Sequence, residues 1–153
     1  MAGKAEYTAE EWATLRVALT AGAELVSLSD GRSTMVREMK GVAKALRAAT
    51  GHPSQLVREL AAEQPRGAVI AQRMSPREAE DPVAEVLRAA VAVLAGKTPD
   101  ELAAYQQVVI SLAEVAAQAT REGGMFGIGG LRVSYTEAAA IDKVRQALGV
   151  GGG

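Results

Sequence analysis

Apolar residues recur every three or four positions along most of this chain, the repeat of helices that each bury one face. Trp12, Leu15, Leu19, Gly22 and Val26 form the first such stripe, and Leu25 and Leu28 widen it. This predicts a helix from about Ala9 to Ser29, closed by Asp30-Gly31 with glycine at the left-handed position. Met35, Met39, Val42 and Leu46 predict a second helix from about Thr34 to Ala49. Gly51 closes it, and Pro53 opens a shorter helix to about Glu63. Pro65 and Gly67 punctuate the chain before a short helical piece from Ala68 to Met74. A helix ending at Gly96 follows, then a long one from Pro99 to about Arg121 with Leu102, Tyr105, Val109, Leu112, Val115 and Ala119 inward. The last helix runs from about Tyr135 to Leu148, with Ile141, Val144 and Leu148 inward, and Gly149 ends it.

Four helix starts carry a hydroxyl residue followed three positions later by glutamate, the pattern of a reciprocal cap. They are Thr8/Glu11, Ser75/Glu78, Thr98/Glu101 and Ser134/Glu137, and proline occupies the first helical position in two of them, at Pro76 and Pro99. Pro82 lies too deep in a helix begun at Pro76 to be neutral, so a break or kink is expected at Asp81-Pro82.

Composition narrows the class. The chain has 153 residues and no cysteine, one histidine and five aromatic residues, and alanine makes up about a fifth of it. Alanine is the strongest helix former, and period-2 runs of strand formers are scarce. The fold class is therefore all-α: a bundle of about six to seven helices in one domain over residues 1–150, with 151–153 a flexible glycine tail. The absence of cysteine excludes disulfides, thiolate metal sites and a cysteine nucleophile. A single histidine excludes a di-iron centre built on two Glu-x-x-His helices. No apolar run approaches the ~18 residues of a membrane span, and the start lacks a signal pattern, so a cytoplasmic protein is expected.

Charge is uneven. Residues 1–30 carry a net −3, residues 31–77 a net +6 and residues 78–153 a net −4. Arg37, Lys40, Lys44 and Arg47 are spaced 3, 4 and 3 apart and make one basic stripe on the second helix. Such a stripe suits an acidic protein or a membrane surface. The lack of interleaved aromatics argues against nucleic acid. Glu24 shares a stripe with Thr20 and Ser27, and Glu114 shares one with Ser111 and Gln118; both read as solvated faces.

The segment Gly123-Gly124-Met125-Phe126-Gly127-Ile128-Gly129-Gly130-Leu131 holds the only phenylalanine of the chain. It follows a helix and lacks the Gly-Lys-Ser/Thr of a phosphate loop. Met125, Phe126 and Ile128 would dock a partner, lid a pocket or plug the end of the bundle. His52 has no acidic partner nearby in sequence, which leaves no case for catalysis.

The first and last helix pairs look alike. Ala23-Glu24-Leu25-Val26 matches Ala113-Glu114-Val115-Ala116, and Glu38, Val42, Ala45 and Ala49 line up with Glu137, Ile141, Val144 and Leu148. Two helical hairpins related by a pseudo-two-fold axis are the expectation. A helix ending in acidic-Gly, a short loop and a new Glu-bearing helix over Ala23 to Leu46 resembles the TerB-like (tellurite-resistance) helical domains. Leu131-Arg132-Val133-Ser134-Tyr135-Thr136-Glu137 is similar to that family's approach to its second helix.

The resemblance implies an all-α module linked to stress response, membrane-associated complexes and acidic metal sites. It points to Asp30, Glu38 and Glu137 as carboxylates for Ca²⁺ or Mg²⁺. Thr120 stands where a second aspartate would be, and glycine-rich sequence replaces an acidic loop. The expected function is a non-enzymatic interaction module that meets a protein or an acidic or membrane surface through its basic helix and apolar loop. The alternative is a bundle binding a divalent metal or small ligand through clustered carboxylates. A second copy of the chain is a further candidate partner.

Overall fold

The computed structural model describes residues 3–29, 32–63, 74–123 and 135–150; within these, the side chains of residues 32–37, 119–123 and 135–137 are left undescribed. Among the described residues there are six α-helices, one 3-10 turn at Lys4–Glu6 and no strand. The helices are α1 (Ala9–Ser29), α2 (Arg32–Ala49), α3 (Gln55–Ala62), α4 (Pro76–Lys97), α5 (Pro99–Gly123) and α6 (Tyr135–Leu148). The architecture is an all-α bundle, as its helical periodicity predicts.

Helix ends follow local chemistry. Thr8 and Glu11 form a reciprocal cap: the Glu11 N–H donates to Thr8 Oγ1 at 3.1 Å, and the Thr8 N–H donates to Glu11 Oε1 at 2.8 Å. Ser75 and Glu78 do the same at the start of α4. Gly149 takes φ +73° past the end of α6, the left-handed position that glycine occupies without strain. α3 starts two residues later than Pro53 suggests, because Ser54 caps it by accepting from the Val57 N–H at 3.2 Å.

Two local expectations give way to longer-range forces. Thr98 does not form its cap with Glu101. The Thr98 hydroxyl is hydrogen-bonded to Tyr7 Oη at 2.6 Å, and Glu101 accepts from Ser54 Oγ at 2.6 Å. Pro82 does not break α4, which is continuous from Pro76 to Lys97. Ala79, Val83, Leu87, Ala90 and Leu94 are buried along one face of α4 on both sides of the proline. That shared face holds the two halves in one line against a cost of ~3 kcal/mol for an interior proline. The expected helical piece at 68–74 and the Ser134 cap fall outside the described residues, except Met74, which is not helical.

α1 is the centre of the bundle. It packs against α5, α4, α2, α6 and α3. Every residue from Ala18 to Leu28 is buried. α1 and α5 run parallel, in a register of about ninety residues: Tyr105 Oη donates to the Leu15 carbonyl at 2.7 Å, and Lys97 bridges to Glu11 at 2.6 Å. The sequence match of 23–26 with 113–116 has this same offset. Among the helix pairs that pack closely, each pair maps onto another, or onto itself, when α1 exchanges with α5, α2 with α6 and α3 with α4.

Candidate functional site

Because α1 and α5 are parallel, Ser29 and Gly123 leave the bundle at the same end. α2 and α6 start back from that end. The buried polar side chains Thr20, Glu24, Ser27 and Glu38 lie on α1 and α2.

Glu24 of α1 and Glu38 of α2 are both fully buried, at 0% exposure, with Thr20 and Ser27 beside Glu24 on the same helix face. Ser27 Oγ donates to Met39 Sδ at 3.7 Å, which ties this face of α1 to α2 next to Glu38. The expectation that Thr20, Glu24 and Ser27 face solvent is corrected here. α1 is enclosed by neighbours on all sides and has no solvated face along its second half. The composition of that half carried the signal: Ala18, Ala21, Gly22 and Ala23 let neighbouring helices approach from every direction, as in a helix that is buried all round. Ser111, Glu114 and Gln118 of α5 are exposed, as expected, and Glu114 meets Arg145 of α6 at 3.3 Å.

Of the three carboxylates that the family resemblance points to, Glu38 is buried on the inward stripe of α2 with Val42 and Leu46. Asp30 and the side chain of Glu137 lie outside the described residues. Among the described residues, no group of three or more acidic or histidine side chains is placed to hold a metal ion.

The basic stripe behaves differently. Lys40, Lys44 and Arg47 are all exposed, on the face of α2 opposite Glu38, Val42 and Leu46. Among the described residues, the small residues Gly41, Ala43 and Ala48 lie between and beside them. The Arg37 side chain is not described, and Met125, Phe126 and Ile128 also lie outside the described residues. Four ion pairs join other elements: Lys4–Glu63, Lys97–Glu11, Lys143–Glu80 and Arg145–Glu114. None of these, among the described residues, involves a cation of α2.

A half-open cleft of about 220 Å³ lies where the end of α1 meets α4 and α6. Leu25, Ser29, Pro76 and Ala140 line it, and the Lys143–Glu80 ion pair borders it. It offers one paired charge and a mostly apolar wall, with no nucleophile–base pair. Three helices distant in sequence build it, so no local pattern announces it.

His52 is half-buried ahead of α3, and its Nδ1 accepts the Ser54 N–H at 3.0 Å. The ring thus shapes the approach to the helix, and Arg58 locks the same turn by donating to the His52 and Pro53 carbonyls at 2.8 Å.

Comparison with protein-family models, curated proteins and solved structures finds no match to this chain. Among the described residues, no helix is long and apolar enough to cross a membrane.

Proposed function

We propose that this protein is a non-enzymatic helical interaction module, of the kind the TerB-like resemblance suggests, that binds an acidic partner through the outer face of α2. The carrying observation is the row of exposed cations Lys40, Lys44 and Arg47 on a helix whose opposite face is anchored in the core. Anchoring matters because it fixes the helix backbone that carries the three charges, so binding has only the side chains left to order. The apolar loop residues Met125, Phe126 and Ile128 are a second contact in this reading. The test compares the molecules that co-purify with the wild-type protein, with a Lys40→Glu/Lys44→Glu/Arg47→Glu variant, and with a deletion of residues 124–130. Loss of the same salt-sensitive partner from the charge-reversed variant supports the reading, and an unchanged set of partners overturns it.

The burial of Glu38 favours a second reading, in which carboxylates including Asp30, Glu38 and Glu137 hold a divalent cation or small ligand. A ligand that binds only the folded state raises the melting temperature by mass action. An unchanged melting temperature at millimolar Ca²⁺, Mg²⁺ and Mn²⁺ would remove this reading.

A further inference from the structure

The acidic partner of α2 can be narrowed by what the face lacks as well as by what it carries. Lys40, Lys44 and Arg47 project from a single helix over about two turns. The residues between and beside them, Gly41, Ala43 and Ala48, are too small to grip a shaped protein surface. The described aromatic side chains, Tyr7, Trp12 and Tyr105, are all buried in the core. A protein interface draws most of its strength from aromatic or arginine side chains seated in pockets; among the described residues this face has no aromatic, and its arginine, Arg47, stands exposed.

The magnitudes separate the two kinds of acidic surface. An exposed ion pair with another protein improves affinity by anything from nothing to about fivefold. A lysine or arginine held near an anionic bilayer contributes about fivefold each, because it meets the summed potential of many headgroups. Three such charges together reach about a hundredfold. Charge distribution acts in the same direction: residues 31–77 carry +6, while the segments before and after carry −3 and −4. Of that segment's charges, Lys40, Lys44 and Arg47 are exposed together on α2, where they favour approach to a negative surface.

We infer that α2 is a peripheral docking face for anionic lipid, with Lys40, Lys44 and Arg47 resting at the level of the headgroup phosphates. This rests on the reading of α2 as the binding face. With no aromatic wedge on the described face, the contact is electrostatic and leaves the acyl region untouched.

The experiment is co-sedimentation of the full chain with vesicles of phosphatidylcholine alone and with about 30 mol% phosphatidylglycerol added. The expected result is binding to the anionic vesicles only, lost at about 0.5 M salt, where screening shortens to a few ångströms. Lys40→Glu and Lys44→Glu each change the charge by two units, so each should lower partitioning by roughly 25-fold, and the triple reversal with Arg47→Glu should abolish it. Circular dichroism verifies that each variant is folded, and the single-site variants Lys40→Gln and Lys44→Gln give graded losses should the triple variant fail to fold. No binding to anionic vesicles at low salt overturns the inference, as does binding that the charge reversals leave unchanged. If vesicles are not bound but an acidic protein is lost from the charge-reversed variant, the docking face stands and its lipid assignment falls. If neither changes, both fall.

Discussion

A Cβ placed on Gly22 would lie 3.0 Å from both γ-methyl carbons of Val144, so α1 and α6 approach as closely as a bare backbone allows. Valine is stiff at χ1 and cannot swing both methyls away. Gly22→Ala should therefore push α6 outward. Overpacking costs ~1–3 kcal/mol, and the gain in helix propensity returns ~1 kcal/mol. The expected net effect is a loss of ~1 kcal/mol, a fall of about 2–4 °C in melting temperature for a domain of this size. In a Val144→Ala background the same glycine change should be neutral or stabilising. A double-mutant cycle that shows no coupling would remove this contact from the account.

The register of the two central helices depends on Tyr105. Its hydroxyl donates to the Leu15 carbonyl at 2.7 Å, and the ring is wholly buried. Tyr105→Phe removes one buried hydrogen bond and creates no cavity, so a loss of ~1 kcal/mol is expected by denaturant unfolding. Burial also pushes the phenol far above its usual range near 10. Ultraviolet titration should find this tyrosine un-ionised at every pH at which the protein stays folded, and its appearance in the ordinary range would contradict that burial.

Much of this fold could be read from periodicity and caps, because α1 and α4 begin on caps whose partners lie three residues apart and α6 ends on Gly149. What could not be read came from partners far along the chain. Thr98 and Glu101 were drawn from their shared cap by Tyr7 and Ser54, 91 and 47 residues away. Glu24 looks like a surface residue beside Thr20 and Ser27 until the other helices close around α1. The candidate binding face divides in the same way. Lys40, Lys44 and Arg47 share one helix, so spacing alone aligns them. The cleft between α1, α4 and α6 exists only once three distant segments have met.

Thr20 Oγ1 is buried and has no hydrogen-bond partner among the described residues. A buried hydroxyl that has lost water without gaining a partner costs ~1–3 kcal/mol. Thr20→Val keeps the shape and removes the cost. The denaturant midpoint should rise by the equivalent of ~1 kcal/mol with an unchanged slope. A fall in the midpoint would show that the hydroxyl is satisfied in the folded protein.

The segment before α1 is clasped by exposed ion pairs whose strength depends on pH. Hydrogen bonding to Lys97, reinforced by the Thr8 N–H, holds the Glu11 carboxyl below its usual value near 4.5. Hydrogen bonding to Lys4 outweighs desolvation and does the same for Glu63, which also accepts from Trp12 Nε1. A lowered folded-state pKa gives stability that is complete above the ordinary carboxylate range and is lost as pH falls through the lowered values. The clasp should thus be intact near neutrality and open in acid. Trp12 fluorescence should report the opening, at a higher pH in a Lys4→Met variant than in the wild type. Coincident curves would separate Trp12 from the clasp.

Pro82 offers the largest expected gain in stability. It sits inside α4, seven residues into the helix, where it supplies no N–H to the Glu78 carbonyl and its ring crowds that oxygen. The helix persists because Ala79 and Val83, on either side of the proline, are buried together in the core. Pro82→Ala restores the donor and the propensity without touching those two residues. Interior proline costs ~3 kcal/mol relative to alanine, part of which is offset by the freedom that proline removes from the unfolded chain. The expected result is a gain of ~1–2 kcal/mol, read as a rise of several degrees in melting temperature. Hydrogen exchange should slow for the amides of residues 79–86 in the same variant. An unchanged melting temperature would mean that α4 has already relaxed around the proline at no cost.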